Sequence, residues 1–277
     1  MTAPAAPAAA PAALTPLSRL LALGRAETTL LRRNRTAVFL ALVLPFALVG
    51  SLRSILRAAA DHTPGLDVDG NLVTSAMGIV LLVVVYTNLT TAYTARRNEL
   101  VLKRLRTGEA ADGEVLLGTA VPSIGLALLQ CLLLGVGGLV LLDGLRAPAN
   151  PLLLLAGLLL SALLLTALAA LSSAVTRTVE TAGITTLPLM LAAQFGSGLM
   201  VPLESMPDTV ANLCRLLPTT PALQLLHIGW LGTDGTGPSA GFAGTWGEAA
   251  LPLLLAAAWA GAAAWAARRW FRWEPRR

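Results

Sequence analysis

Residues able to do covalent or metal chemistry are sparse in this chain, and none stands beside the partner it would need. A Ser or Cys nucleophile requires a base within hydrogen-bond reach. Ser172, Ser173 and Cys131 lie in apolar stretches with no such base in a neighbouring stretch. His62 and His227 are far apart, both expected outside the membrane, and neither has ligand-spaced companions, so no metal site is expected. Cys131 and Cys214 define no disulfide framework and read as packing residues. A phosphate-binding P-loop needs a Gly-rich turn ending in Lys followed by Ser or Thr. Lys103, the one lysine, is followed by Arg104. Glu180 stands three residues after Arg177, a pairing distance on a helix. The chain is therefore expected to hold no cofactor and to catalyse no reaction itself.

What remains is charge and backbone punctuation. The stretch ARRNELVLKRLRTGEAADGEVLLG, residues 95–118, sets five cations and three glutamates around Leu100, Leu102 and Leu105. Charge interleaved with apolar residues on a short helix suits a docking element for a soluble partner. A second stretch, residues 196–207, carries Gly196, Gly198, Pro202 and Pro207, which break helices, together with Glu204. Broken backbone at membrane depth survives only where protein or water covers it, so these residues read as a re-entrant outer gate or as a helix end followed by a loop.

The elements that hold these stretches follow from composition. Of 277 residues, 55% are hydrophobic and 13% are charged, whereas soluble domains carry about 25% charged residues. A helix crosses about 30 Å of hydrocarbon with about 20 apolar residues. Six segments qualify, near 37–56, 73–93, 115–142, 151–175, 183–202 and 249–267. Residues 216–232, interrupted by Pro218 and Pro221 and polarised by Arg215 and His227, read as interfacial or re-entrant. The expected architecture is all-α. An uncharged Ala/Pro tail over 1–16, expected to be disordered, precedes an amphipathic interfacial helix over 17–36. A six-helix domain over 37–267 and a basic tail over 268–277 follow.

Orientation follows from the positive-inside bias. With both termini in the cytoplasm, sixteen basic residues face inward and four outward. The net charge of +5 thus collects at membrane exits, facing anionic lipid rather than nucleic acid. Trp259, Trp265, Trp270 and Trp273 mark the last exit as interfacial anchors.

Two blocks carry a family resemblance. Arg96, Arg97, Leu102, Lys103, Arg104, Leu105, Arg106, Leu116, Leu117 and Gly118 resemble the cytoplasmic loop of ABC-2 type permeases. Ser197, Gly198, Pro202, Leu203, Pro207, Leu217, Pro218 and Pro221 look like that family's segment after the fifth span. The resemblance implies a half-transporter in a bacterial inner membrane. It would pair with a second copy or a related permease, recruit two ATP-binding subunits, and export a substrate. It further implies that residues 96–116 supply a coupling helix, with docking carried by Arg96, Arg97, Leu102, Lys103, Arg104, Leu105 and Arg106. Apolar span interiors favour a lipophilic substrate such as a drug, antibiotic or lipid. The alternative is an ion-gradient-driven transporter, which would ordinarily place Asp, Glu or His near the bilayer midplane. The expected span centres contain none.

Overall fold

The computed structural model describes residues 50, 52–61, 65–101, 111–142, 144–233 and 239–274. The expected tail over 1–16, the amphipathic helix over 17–36, most of the span over 37–56 and Leu102 to Arg106 lie outside these residues. So does His62. Among the described residues every regular element is helical.

Helix α1 covers residues 52–60 and buries Leu52 and Leu56. Helix α2, Val68–Asn98, contains a π-helical stretch at Leu81–Thr87. Helices α3, Asp112–Leu141, and α4, Pro151–Val175, follow. Helix α5 is shorter, Ala182–Gly196. A 3-10 turn at Leu203–Ser205, helix α6 at Asp208–Arg215 and helix α7 at Thr219–Leu231 lead to α8, Gly241–Trp270. Four of these, α2, α3, α4 and α8, are long and apolar enough to cross a membrane.

The helix ends follow local chemistry. The Asp67 carboxylate accepts from the Gly70 N–H at 2.9 Å and starts α2, while Arg96 and Arg97 occupy its last turn, where the helix dipole favours cations. Asn150 accepts from the Leu153 N–H at 3.0 Å, and Pro151 fills the first helical position of α4. Both helices therefore begin with a satisfied donor at one end of the bundle.

Contacts along the chain fix the packing directions. Cys131 of α3 reaches Met77 of α2, and Tyr93 reaches Leu116, so α3 runs antiparallel to α2. Tyr86 meets Ser172 at 2.9 Å and Asn98 reaches the Arg177 carbonyl, so α4 runs parallel to α2. Asn150 bonds Thr245 at one end of α8, and Phe271 touches Tyr93 at the other, which makes α8 parallel as well. Within their most apolar windows α2 is 83% buried and α4 61%, against 28% for α3 and 22% for α8. The core therefore runs between α2 and α4, and the other two long helices expose apolar flanks suited to lipid or another subunit.

The segment after α5 departs from the expected layout. Residues 183–202 read as one crossing, yet α5 stops at Gly196, about 22 Å after its start at 1.5 Å per residue. The stretch 216–232, expected to be interfacial or re-entrant, is a helix buried against α2 and α4. On α2, Leu231 lies by Gly70, His227 by Thr74, and Leu223 by Gly78. On α4, Gly229 lies by Leu154, Leu225 by Gly157, and Ala222 by Ser161. Farther along α2, Met190 of α5 accepts from Thr87. Helices α7 and α5 thus follow one another along the groove of α2 and α4, joined where Gly196 abuts Leu217. The prolines do not prevent this, because Pro218 caps α7 and Pro221 sits in its first turn, where no intrahelical N–H bond is lost.

Candidate functional site

Two places gather the residues singled out by sequence, one at the Arg97 end of the bundle and one at the break between α5 and α7. At the first, Arg97 is fully buried. Its guanidinium donates to the carbonyls of Ser173 and Thr176, at the last turn and C-cap of α4. The Ser173 carbonyl otherwise accepts only a shared 3.2 Å bond from the Thr176 N–H, and a cation is favoured at this helix end by the dipole. Arg96 is half-buried and donates to the Thr119 hydroxyl of α3 at 3.2 Å. Asn98 adds a bond to the Arg177 carbonyl at 3.2 Å. Three consecutive residues at the end of α2 therefore hold α3, α4 and the turn after α4.

Tyr93 builds the floor beneath them. It is fully buried, and its hydroxyl donates to the Leu116 carbonyl at 2.9 Å. Its ring meets Phe271 edge-on at 6.1 Å, and Phe271 meets Trp273 at 5.0 Å. The residues after α8 are thereby folded back onto α2. Sequence marked Arg96 and Arg97 but missed Tyr93, Thr119, Ser173 and Thr176, whose roles depend on which helices become neighbours.

Glu180 does not sit as the helical spacing suggested. Arg177 is irregular and residues 178–181 form a bend and turns rather than helix, so i and i+3 do not share a face. Bonds from its own backbone N–H and from the Thr178 hydroxyl hold the Glu180 carboxyl below the usual carboxylate range. Arg53 and Asp69 do form an ion pair, at 3.1 Å.

At the break, Gly196 closes α5, and a Cβ placed there would lie 2.5 Å from a Leu217 methyl. Gly198 has φ +82°, a left-handed conformation that suits glycine. Pro202 is buried and leads into the 3-10 turn that contains Glu204, while Pro207 is exposed and caps α6. The helix ends here are satisfied by hydroxyls. Ser197 meets Thr219 at 2.7 Å, and Thr220 donates to the carbonyls of Gly196 at 3.3 Å and Cys214 at 2.6 Å. Internal partners of this kind are what a chain break in an apolar surrounding requires.

Gly198 and Pro202 share a void of about 10 Å³ with Asn71, Ser197, Leu203, Gln224 and His227. That volume matches about one water, and its walls offer several polar atoms. His227 was expected outside the membrane as an isolated histidine. It is instead buried, with Nδ1 3.0 Å from the Thr74 hydroxyl, because α7 is drawn into the bundle. The signal missed in the sequence is the run Asn71, Thr74 and Ser75, whose i, i+3, i+4 spacing puts three buried polar side chains on one face of an otherwise apolar helix. Beyond it the π-helical stretch of α2 carries Tyr86 to Ser172 and Thr87 to Met190. Such wide turns often mark functional positions.

Among the described residues no group of His, Cys, Asp and Glu is placed to hold a metal ion. No curated protein matches the chain. Residues 18–230 match the family model described as ABC-2 type transporter. The match spans both the Arg97 end and the break, and the apolar helical bundle agrees with it. With most of its length inside that match and four helices long and apolar enough to cross a membrane, the chain belongs to the ABC-2 type transporter family, as a membrane-spanning permease.

Proposed function

We propose that this permease is the membrane half of an exporter whose ATPase resides on separate subunits. Two copies, or one copy and a related permease, would pair and recruit two ATP-binding subunits in a bacterial inner membrane, with both termini cytoplasmic. The stretch that begins at Arg96 would dock the ATPase through Leu102, Lys103, Arg104, Leu105 and Arg106. Arg97 would serve this docking indirectly, since its side chain is consumed by α4.

Arg97 is the observation that carries the proposal. A displacement of the loop by a closing ATPase pulls on the end of α2. The hydrogen bonds from Arg96, Arg97 and Asn98 then pass that displacement to α3, α4 and the turn leading into α5. Helix α5 ends at Gly196, beside Gly198, Pro202, Glu204 and Pro207. Helices α5 and α7 together form the fifth of six crossings, and their junction is the outer gate. A split crossing can change its internal angle with fewer broken backbone bonds than a continuous helix. A partner can bias such an equilibrium only through its different affinity for the two states, which ATP binding at the docking loop supplies. The apolar flanks of α3 and α8 favour a lipophilic cargo, of the drug, antibiotic or lipid class.

The test is co-purification of the detergent-solubilised permease from its native host. A soluble ATPase is expected to accompany it, and Leu102→Ala, Arg104→Ala and Leu105→Ala together are expected to release that ATPase while the permease stays folded. Purification without any ATPase or vanadate-sensitive activity would overturn the proposal. One observation favours ion-gradient drive, namely the buried His227 against α2. In that case transport in vesicles would survive vanadate and stop with a protonophore.

A further inference from the structure

At the Arg97 end, the last turns of α4 and α8 do not close on each other. Between them lies a groove of about 640 Å³, lined by Leu171, Ala174 and Val175 on one side and by Arg269, Trp270, Phe271 and Arg272 on the other. Its geometry is anchored rather than incidental. Phe271 is buried between Tyr93 and Trp273, and the backbone turns from helical to extended at that residue. The turn places Arg269, from the last turn of α8, and Arg272, from beyond it, on the same opening. Arg268, their neighbour, turns away toward Gly113 at the start of α3.

Arg269 and Arg272 are exposed, and neither makes a hydrogen bond or ion pair among the described residues. Beside them, Val175 and Trp270 are 59% and 58% exposed. Two apolar spans end at this level, so the groove sits at the membrane–water boundary, with cations at its mouth and hydrocarbon along its wall. The carbonyl end of α4 would ordinarily repel an anion there. Arg97 removes part of that repulsion by covering the Ser173 and Thr176 carbonyls from within. A phosphate flanked by acyl chains meets every requirement at once, whereas an acidic peptide would leave Leu171 and Val175 uncovered.

We infer that the groove between α4 and α8 binds one anionic phospholipid of the bilayer, with its phosphate on Arg269 and Arg272 and its acyl chains along Leu171, Ala174 and Val175. A basic side chain near an anionic surface contributes about 1 kcal/mol, roughly fivefold in affinity. The bound lipid would hold the ends of α4 and α8 apart by a fixed amount, whichever energy source drives transport.

Trp270 supplies a direct readout. The full chain is placed in bilayers containing phosphatidylglycerol or phosphatidylcholine with brominated acyl chains, and the quenching due to Trp270 is isolated by subtracting Trp270→Phe. Quenching by brominated phosphatidylglycerol at a minor mole fraction is expected to exceed that by brominated phosphatidylcholine at least fivefold. The preference should vanish in the double variant R269Q and R272Q and persist in Arg268→Gln. Equal quenching by the two lipids in the unaltered chain would overturn the inference without any variant. Survival of the preference in the double variant would overturn it too, as would absence of quenching by either lipid, since another occupant would then fill the groove.

Discussion

Arg97 concentrates several demands on one side chain. It is a buried cation that donates to two helix-terminal carbonyls, so its loss would remove a charged donor from both in a region with little water. Charged hydrogen bonds of this kind are worth about 1.5–3 kcal/mol each. Arg97→Ala should markedly lower the thermal unfolding temperature of the solubilised protein. Arg97→Lys should recover only part of it, because an ammonium lacks the planar fork that spans two carbonyls. A comparison of threonines on α2 gives a second test. Thr74 and Thr90 are both fully buried, but Thr90 bonds only its own helix whereas Thr74 also meets His227. Thr74→Val should therefore cost about 1–2 kcal/mol, and Thr90→Val considerably less, measured by the same thermal unfolding.

At the scale of elements, α7 is positioned by the absence of side chains where it crosses α4. A Cβ added at Gly229 would lie 2.6 Å from the Leu154 backbone nitrogen. Neither backbone can yield locally, so Gly229→Ala should separate α7 from α4 and cost about 1–3 kcal/mol, as overpacking does. Gly183 gives the control, with open space around its Cβ position, so Gly183→Ala should leave the melting curve nearly unchanged. Legibility differed between neighbouring helices for the same physical reason. The bounds of α4 coincide with the expected 151–175, because Asn150 and Pro151 form a start signal and the following residues are uniformly apolar. For α5 and α7, hydropathy continued past Gly196 while the backbone did not. His227 looked external because its partner Thr74 lies far away in the chain, and the partners of Thr219 and Thr220, Ser197 and Cys214, likewise lie outside their helix.

For the whole molecule, the parallel course of α2, α4 and α8, with α3 opposed, gives a bundle with two distinct ends. Arg146 is exposed at one and Arg272 at the other. With Cys214→Ser as background and Cys131 buried, a cysteine at position 146 should react in intact cells with a membrane-impermeant thiol reagent. A cysteine at 272 should react only after permeabilisation. The reverse pattern would invert the proposed orientation. Sequence by itself determined the apolar surroundings, the helical class, the positions of α2, α3, α4 and α8 and the family, because these depend on the local density of apolar and basic residues and on short contiguous motifs. Tertiary structure alone decided that Arg97 faces inward as a helix cap, that α5 and α7 share one groove, and that His227 is buried. Each of those outcomes depends on which carbonyl, hydroxyl or glycine another helix brings alongside, and that information is distributed across residues far apart in the chain.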